Sequence, residues 1–258
     1  MSTALHSPSL LSAIRGWWRE RLPRLGAAKT GGLFVKELWD FARDSTPERR
    51  RQRYGDVGFD WEHRVNTTSA TVGWRDRLLG VFHSSYQPTD STVFREMMNW
   101  LPMDYSRFTF IDLGSGKGRT LLMASEFPFQ RVIGVELLPS LHRIAAENAQ
   151  KFAAEELSHA PIETVCGDAC AFEFPVAPLV LYLFNPLPQG GLERVLRNLG
   201  KSLLESPREI WLVYHNPVLE FVVASFEAFH KAGSSEQYVI YASAMALQGS
   251  SRAEAVSR

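Results

Sequence analysis

The sequence predicts an α/β fold, a doubly wound and mostly parallel sheet preceded by a helical extension. Two observations carry the prediction. Residues 108–113 (Phe-Thr-Phe-Ile-Asp-Leu) form a short apolar run that passes straight into a turn with glycines at 114, 116 and 118. From there, apolar runs of strand length alternate with stretches of helical periodicity, the pattern of β–α units around a parallel sheet. Ligands of such sheets are expected at the carboxyl ends of the strands.

The elements follow in order. Residues 1–80 read as the helical extension and a possible cover for the active site. Leu10–Ile14 is too short for a membrane span, and Arg15, Arg19 and Arg21 follow it, the reverse of a secretion signal. With Trp17 and Trp18 it reads as a short amphipathic helix. That segment packs on the main domain, or is an ordinary or disordered tail, or, through residues 9–22, contacts a membrane or partner surface. Residues 23–32, with Pro23 and three glycines, read as a linker. Phe34–Arg43 reads as a helix stopped near Thr46-Pro47, and the charged run 48–53 as a solvated face. Residues 59–68 are too polar and aromatic for a simple strand. Asn66 or Thr67 is expected at the entrance to a site. Ser91–Leu101 is a helix with Phe94, Met97, Met98 and Leu101 on one side. Thr89 or Asp90 caps it with Tyr86 packed beneath, or Tyr86 and Thr89 cover a ligand.

The domain proper spans 81–247. A helix over 119–127 follows the glycine turn, and the strand Arg131–Val135 ends at Glu136. Residues 138–157 form an interrupted amphipathic helix and 162–165 a short buried strand. Then come a strand over 178–184, a helix over 192–204 and a strand over 209–214. Residues 226–231 and 237–244 form a closing hairpin, unless the first finishes a helix. The small, polar tail from Gln248 is expected to be disordered.

Three glycines in five positions make sense only where the backbone is bent or closely approached, bringing N–H groups near a ligand. Glu136 stands twenty-two residues after Gly114. A carboxylate there suits a ribose diol. The loop lacks the G-x-G-x-x-G spacing of a pyrophosphate binder and has Asp112 beside it. A carboxylate repels pyrophosphate but attracts an ammonium and a sulfonium. The chemistry points to S-adenosyl-L-methionine.

The segment Asp112-Leu-Gly-Ser-Gly-Lys-Gly-Arg119 resembles the first motif of class I S-adenosylmethionine-dependent methyltransferases. The resemblance covers residues 80–244 and implies a seven-strand, Rossmann-like sheet. It places Asp112, Gly114, Ser115, Gly116 and Gly118 around the methionine part of the cofactor. Glu136 and the adjoining Leu137 fall at the ribose. Asp168 and Ala169, in Cys166-Gly-Asp-Ala169, fall at the adenine. Phe184, Asn185 and Pro186 fall at the reacting methyl, with Asn185 and Pro186 as the catalytic candidates. Asn185-Pro186 is similar to the Asn-Pro-Pro-aromatic motif of amine and amide methyltransferases. It lacks the second consecutive proline and the aromatic, so nucleobase and glutamine substrates are not implied. Tyr86-Gln-Pro88 with Gly118-Arg119 resembles small membrane-associated lysine methyltransferases, and the loop resembles seven-strand histone-lysine enzymes. A protein lysine or small-molecule amine is therefore the expected acceptor. Arg119 is expected to support the loop or a nearby carboxylate, and His215 is a candidate base.

Composition is that of an ordinary globular chain: 258 residues, 45% apolar, 22% charged and zero formal net charge. No global field favours nucleic acid, so a nucleic-acid partner is not expected. Cys166 and Cys170 have no companions for a metal set or disulfide framework, and a cytoplasmic protein without metal is expected. Two other readings stay open, a methyltransferase fold that binds without turnover and a nucleotide-dependent oxidoreductase.

Overall fold

The computed structural model describes residues 10–44, 57–68, 88–154, 160–185 and 187–249. Tyr86, Pro186, the charged run 48–53 and the tail over 250–258 lie outside the described residues. The helices are α1 (Leu10–Asp44), α2 (Val57–Glu62), α3 (Ser91–Trp100), α4 (Arg119–Ser125), α5 (Pro139–Ala154), α6 (Gln189–Glu205) and α7 (Glu220–Ala224). The strands are β1 (Thr109–Leu113), β2 (Arg131–Glu136), β3 (Ile162–Cys166), β4 (Leu179–Phe184), β5 (Ile210–His215), β6 (His230–Ser234) and β7 (Tyr238–Ala242).

The strands form one seven-stranded sheet in the order β3-β2-β1-β4-β5-β7-β6. The first five pair in parallel, and β7 runs antiparallel to both β5 and β6. This is the Rossmann-like arrangement expected above, closed by the expected hairpin. The chain runs outward from β1 to β3, then returns to lay β4 on the other side of β1. The carboxyl ends of β1 and β4 are thus the switch point, where a crevice opens.

Alternation along each strand builds two apolar layers. Phe110, Val180, Tyr182 and Val213 face the layer that holds Phe94 of α3, Leu121 of α4 and Phe152 of α5. Ile111, Leu181, Leu183 and Leu212 face Leu192 and Leu196 of α6 and Val222 of α7. Covered on both sides, the central strands are mostly apolar, and the buried acid of β1, Asp112, is an exception to that pattern.

Four expectations are corrected. The stretch 23–32 is not an open linker but part of α1, which is broken only at Gly26, at φ 76° and ψ 166°. Trp17 and Phe34 rings meet at 5.7 Å, whereas a straight helix would hold residues seventeen apart at roughly 25 Å. The two arms therefore fold back on each other, and Gly26 allows it because its backbone is left-handed. The strand β3 is an edge strand and half-exposed rather than buried. The hairpin's first arm starts at His230, because 220–224 form α7 and 225–229 a turn. Gln248 and Gly249 belong to a short helix over 244–249 rather than a disordered tail.

Among the described residues no helix is long and apolar enough to cross a membrane. The α1 pair packs on the body instead. Ala13 and Trp17 cluster with Leu138 at the start of α5, and the Arg24 guanidinium donates to Gln189 Oε1 at 2.8 Å at the start of α6. Those two contacts lie just beyond the carboxyl ends of β2 and β4, on either side of the crevice.

Candidate functional site

The glycine turn that follows β1 holds Gly114, Gly116 and Gly118 at φ 86°, 55° and 81°, the left-handed region that glycine enters without penalty. Four of its amides are already engaged. Gly114 and Ser115 N–H donate to Val135 O at 2.8 and 3.1 Å, and Gly118 N–H donates to Ser115 O at 2.8 Å. Gly116 N–H donates to a carboxylate oxygen of Glu136 at 2.8 Å. This corrects the expectation that the turn presents its N–H groups to a ligand. The turn spends these four donors on β2 and on itself, and the strand residues beside it, Asp112 and Glu136, are acidic.

Asp112 is buried at 3% exposure, and Glu136 at 7%. Burial pushes the Asp112 carboxyl up to about 7, the hydroxyl of Thr120 opposes this by donating to it, and the charge of Glu136 adds to it. Burial also raises Glu136, against the N–H groups of Leu138, Gly116 and Leu137 and the nearby His142. Leu138 N–H donates to the second carboxylate oxygen at 2.8 Å. Two desolvated carboxyls with no ion-pair partner among the described residues are costly, and an incoming ammonium would offset that cost.

The basic residues of the motif point away from the crevice. Lys117 is wholly buried, and its Nζ donates to Thr68 O at 2.5 Å and to Asn66 Oδ1 at 3.1 Å. Burial lowers it to about 8, with Asp60 partly opposing. Arg119 donates from Nε to Thr89 O at 2.8 Å and from NH1 to Thr67 Oγ1 at 3.1 Å, lies 3.6 Å from Asp60, and covers the Phe59 ring at 4.4 Å. Asn148 of α5 closes the set, bonding both the N–H and C=O of Asn66 and the C=O of Lys117 at 3.0 Å. Asn66 and Thr67 thus pin residues 57–68 behind the loop instead of lining an entrance. Arg119 supports a carboxylate, as expected. His63 is a packing residue between Phe59 and Phe152.

Replacing Arg119 with methionine keeps bulk but leaves Asp60 and Thr89 O without their cationic partner. The expected loss is about 3 kcal/mol in chemical denaturation, the usual cost of breaking a buried pair from one side. A loss below about 0.5 kcal/mol, the range of ordinary surface substitutions, would show the clasp to be incidental.

The other site candidates line the same sheet edge. Asp168 is exposed, and its carboxylate caps the turn over 169–171 through Cys170 N–H at 2.8 Å, with Ala169 buried behind it. Leu137 and Phe184 are half-buried at the ends of β2 and β4. Asn185 is left-handed at φ 44°, as is Asn216 at φ 48°. Asn185 Nδ2 donates to Asn216 O at 2.6 Å, and its Oδ1 accepts from the Tyr214 hydroxyl at 2.8 Å. The two Asn-Pro steps therefore brace each other across β4 and β5. Asp90 caps α3 through Thr92 and Val93 N–H, which leaves the Thr89 side chain for another role. Its hydroxyl lies 2.9 Å from the Tyr182 hydroxyl, which in turn lies 2.8 Å from His215 Nδ1.

Sequence reasoning missed Tyr182, Asp60, Lys117 and Asn148. Tyr182 carried a signal, a hydroxyl in the middle of the apolar run Leu179–Phe184 that must find a partner once buried. The other three carried none, since their partnership depends on the path of residues 57–68.

No family model matches the sequence, and no curated protein matches it. Similar solved structures include an RNA methyltransferase from Salinibacter ruber in complex with S-adenosyl-L-homocysteine, 23% identical, covering 61% of this chain and 93% of that one with a TM-score of 0.43. Magnesium protoporphyrin IX methyltransferase from Synechocystis PCC 6803 with bound SAM is 13% identical, covering 75% of this chain and 95% of that one, TM-score 0.46. TrmN from Thermus thermophilus is 19% identical, covering 60% of this chain and 49% of that one, TM-score 0.46. At these identities and scores, the reading of the site rests on its own residues.

Proposed function

We propose that the chain is an S-adenosyl-L-methionine-dependent methyltransferase whose acceptor is an amine nitrogen, of a protein lysine or of a small molecule. One observation carries this reading. The glycine turn at the switch point has four amides spent, its lysine turned to the back, and two buried carboxylates at its edge. A dinucleotide site needs the opposite, N–H groups and positive charge against a pyrophosphate. A cationic amino-acid end at Asp112 and a ribose diol at Glu136 fit what is present.

In this reading Asp112 holds the cofactor's ammonium, while Gly114, Ser115, Gly116 and Gly118 give the close approach. Glu136 and Leu137 meet the ribose, and Asp168 and Ala169 the adenine. Thr89, with Tyr86, meets the amino-acid end. Bound S-adenosylmethionine supplies an electrophilic methyl group and a sulfur leaving group. The chain's part is to orient the acceptor and exclude water. Asn185, followed by Pro186, is the candidate for orientation. Its amide is fixed from both ends, and its carbonyl keeps one lone pair for an acceptor N–H. The α1 pair, seated on both sides of the crevice, is the cover. Amide exchange over 10–44 should slow when S-adenosylhomocysteine saturates the protein, and unchanged exchange would refute that role.

The test of function is transfer of labelled methyl from S-adenosylmethionine to lysine peptides, polyamines and, as comparison, RNA. Label in an amine pool is expected. Label in RNA alone would replace the acceptor class. Cofactor binding with no label in any pool would favour a binding module, a reading also suggested by the structural use of both ends of the Asn185 amide.

A further inference from the structure

Thr89, Tyr182 and His215 form a hydrogen-bonded line from the start of α3 to the carboxyl end of β5. Thr89 is 3% exposed and Tyr182 1%. His215 stacks on Phe184 at 4.2 Å and 23°, beside Asn185. Its Nε2 has no hydrogen-bond partner among the described residues. Resting on the cofactor reading above, we propose that the line is a polarity switch: a cofactor carboxylate at Thr89 reverses it and turns His215 Nε2 from a hydrogen-bond donor into an acceptor for the substrate N–H.

Burial lowers His215 to about 4, against the charge of Asp90, so the ring is neutral at pH 7 and carries one N–H. Burial holds Tyr182 well above its ordinary value, against the bond to Thr89 and with Asp112 adding to the rise, so its hydroxyl keeps its proton. Thr89 and Tyr182 each have one proton to donate. Two arrangements result. In the first, Thr89 donates to Tyr182, Tyr182 donates to Nδ1, and the ring proton sits on Nε2. In the second, Nδ1–H donates to Tyr182, Tyr182 donates to Thr89, and Nε2 is a bare lone pair.

Without a ligand the second arrangement leaves the proton of a buried threonine hydroxyl without an acceptor among the described residues, so the first is favoured. A carboxylate beside Thr89 provides that acceptor and favours the second. His215 then accepts a hydrogen bond from the amine N–H, aiming the nitrogen lone pair at the methyl carbon. No proton changes owner between His215 and the substrate. The device makes acceptor recognition conditional on a loaded cofactor, in the manner of any two-state element biased by a ligand.

The test uses the full chain labelled with ¹⁵N-histidine, with multiple-bond ¹H–¹⁵N spectra reporting the tautomer and His215→Gln assigning the signal among the seven histidines. S-adenosylhomocysteine, which keeps the carboxylate, is the probe, and calorimetry on the same sample reports its binding. The Nε2–H form is expected in free protein and the Nδ1–H form at saturation. Tyr182→Phe, which keeps the ring packing, should abolish the ligand-dependent change. Saturation with an unchanged tautomer, or a switch that survives in Tyr182→Phe, would overturn the proposal while leaving the cofactor reading intact. Absence of binding would overturn that reading and the switch with it.

Discussion

Asp112→Asn is expected to weaken S-adenosylhomocysteine binding by about 100-fold while making the ligand-free protein more stable. The first effect follows from removing one member of a desolvated charge pair, which costs about 2–5 kcal/mol. The second follows from the raised carboxyl. Its folded-state value of about 7 stands above the ordinary 3.8, so the folded chain binds more protons than the unfolded one between those values. Stability is therefore fully present at low pH and declines as pH rises through that window. Asparagine removes the decline, gaining at most on the order of 4 kcal/mol above pH 7, from about 1.4 kcal/mol per unit. Binding should carry the same signature with opposite sense. Ammonium binding requires the ionised carboxylate, so affinity should rise by about tenfold per pH unit below 7 and flatten above it. Thermal denaturation with calorimetry across pH checks both halves. A variant that loses stability and keeps affinity would show Asp112 to be a structural acid.

Gly134→Ala should destabilise the fold by about 2 kcal/mol, the usual cost of overpacking, and should also weaken cofactor binding. A Cβ at this position would lie 2.4 Å from Leu121 Cδ1 and 2.8 Å from Ser115 Oγ. Gly134 lies beside Asp112 in register, so the intrusion reaches the glycine turn from behind. Leu121 is wholly buried in α4 and has little room to retreat. The strand can accept alanine's φ and ψ, so the effect is steric. Denaturant unfolding and calorimetry measure the two parts. A melting temperature within 1 °C of wild type, corresponding to at most about 0.5 kcal/mol, would show that α4 yields at little cost.

Gly134 also shows what was legible in the sequence. A glycine inside an apolar strand signals close approach of something else, yet only the fold says that Leu121 and Ser115 occupy the space. The strand–turn–helix at 108–127 was legible because its signals are local: the apolar run, the glycines and the acid before them. So were Glu136 and the order of the strands. Two features were not. Gly26 marked a break, but Pro23, Gly31 and Gly32 made the whole stretch resemble a linker; it is helical because tertiary contacts of Trp17 and Phe34 outweigh poor propensity. Lys117 sits in a loop that suggests ligand contact, and only the path of 57–68 shows that it is bound there by Thr68 O and Asn66 Oδ1; the supporting role of Arg119 was expected. The same path explains why Asn66 and Thr67 hold structure and do not line the crevice.

The central claim is that an acid-edged glycine turn selects S-adenosylmethionine over a dinucleotide. Calorimetric titration with S-adenosylhomocysteine and, in parallel, with NADH tests it most directly, using wild type and Asp112→Asn. One saturable site for S-adenosylhomocysteine, strongly weakened in the variant, and no heat from NADH is the predicted result. Binding of NADH, or of S-adenosylhomocysteine with equal affinity in both proteins, would contradict the account.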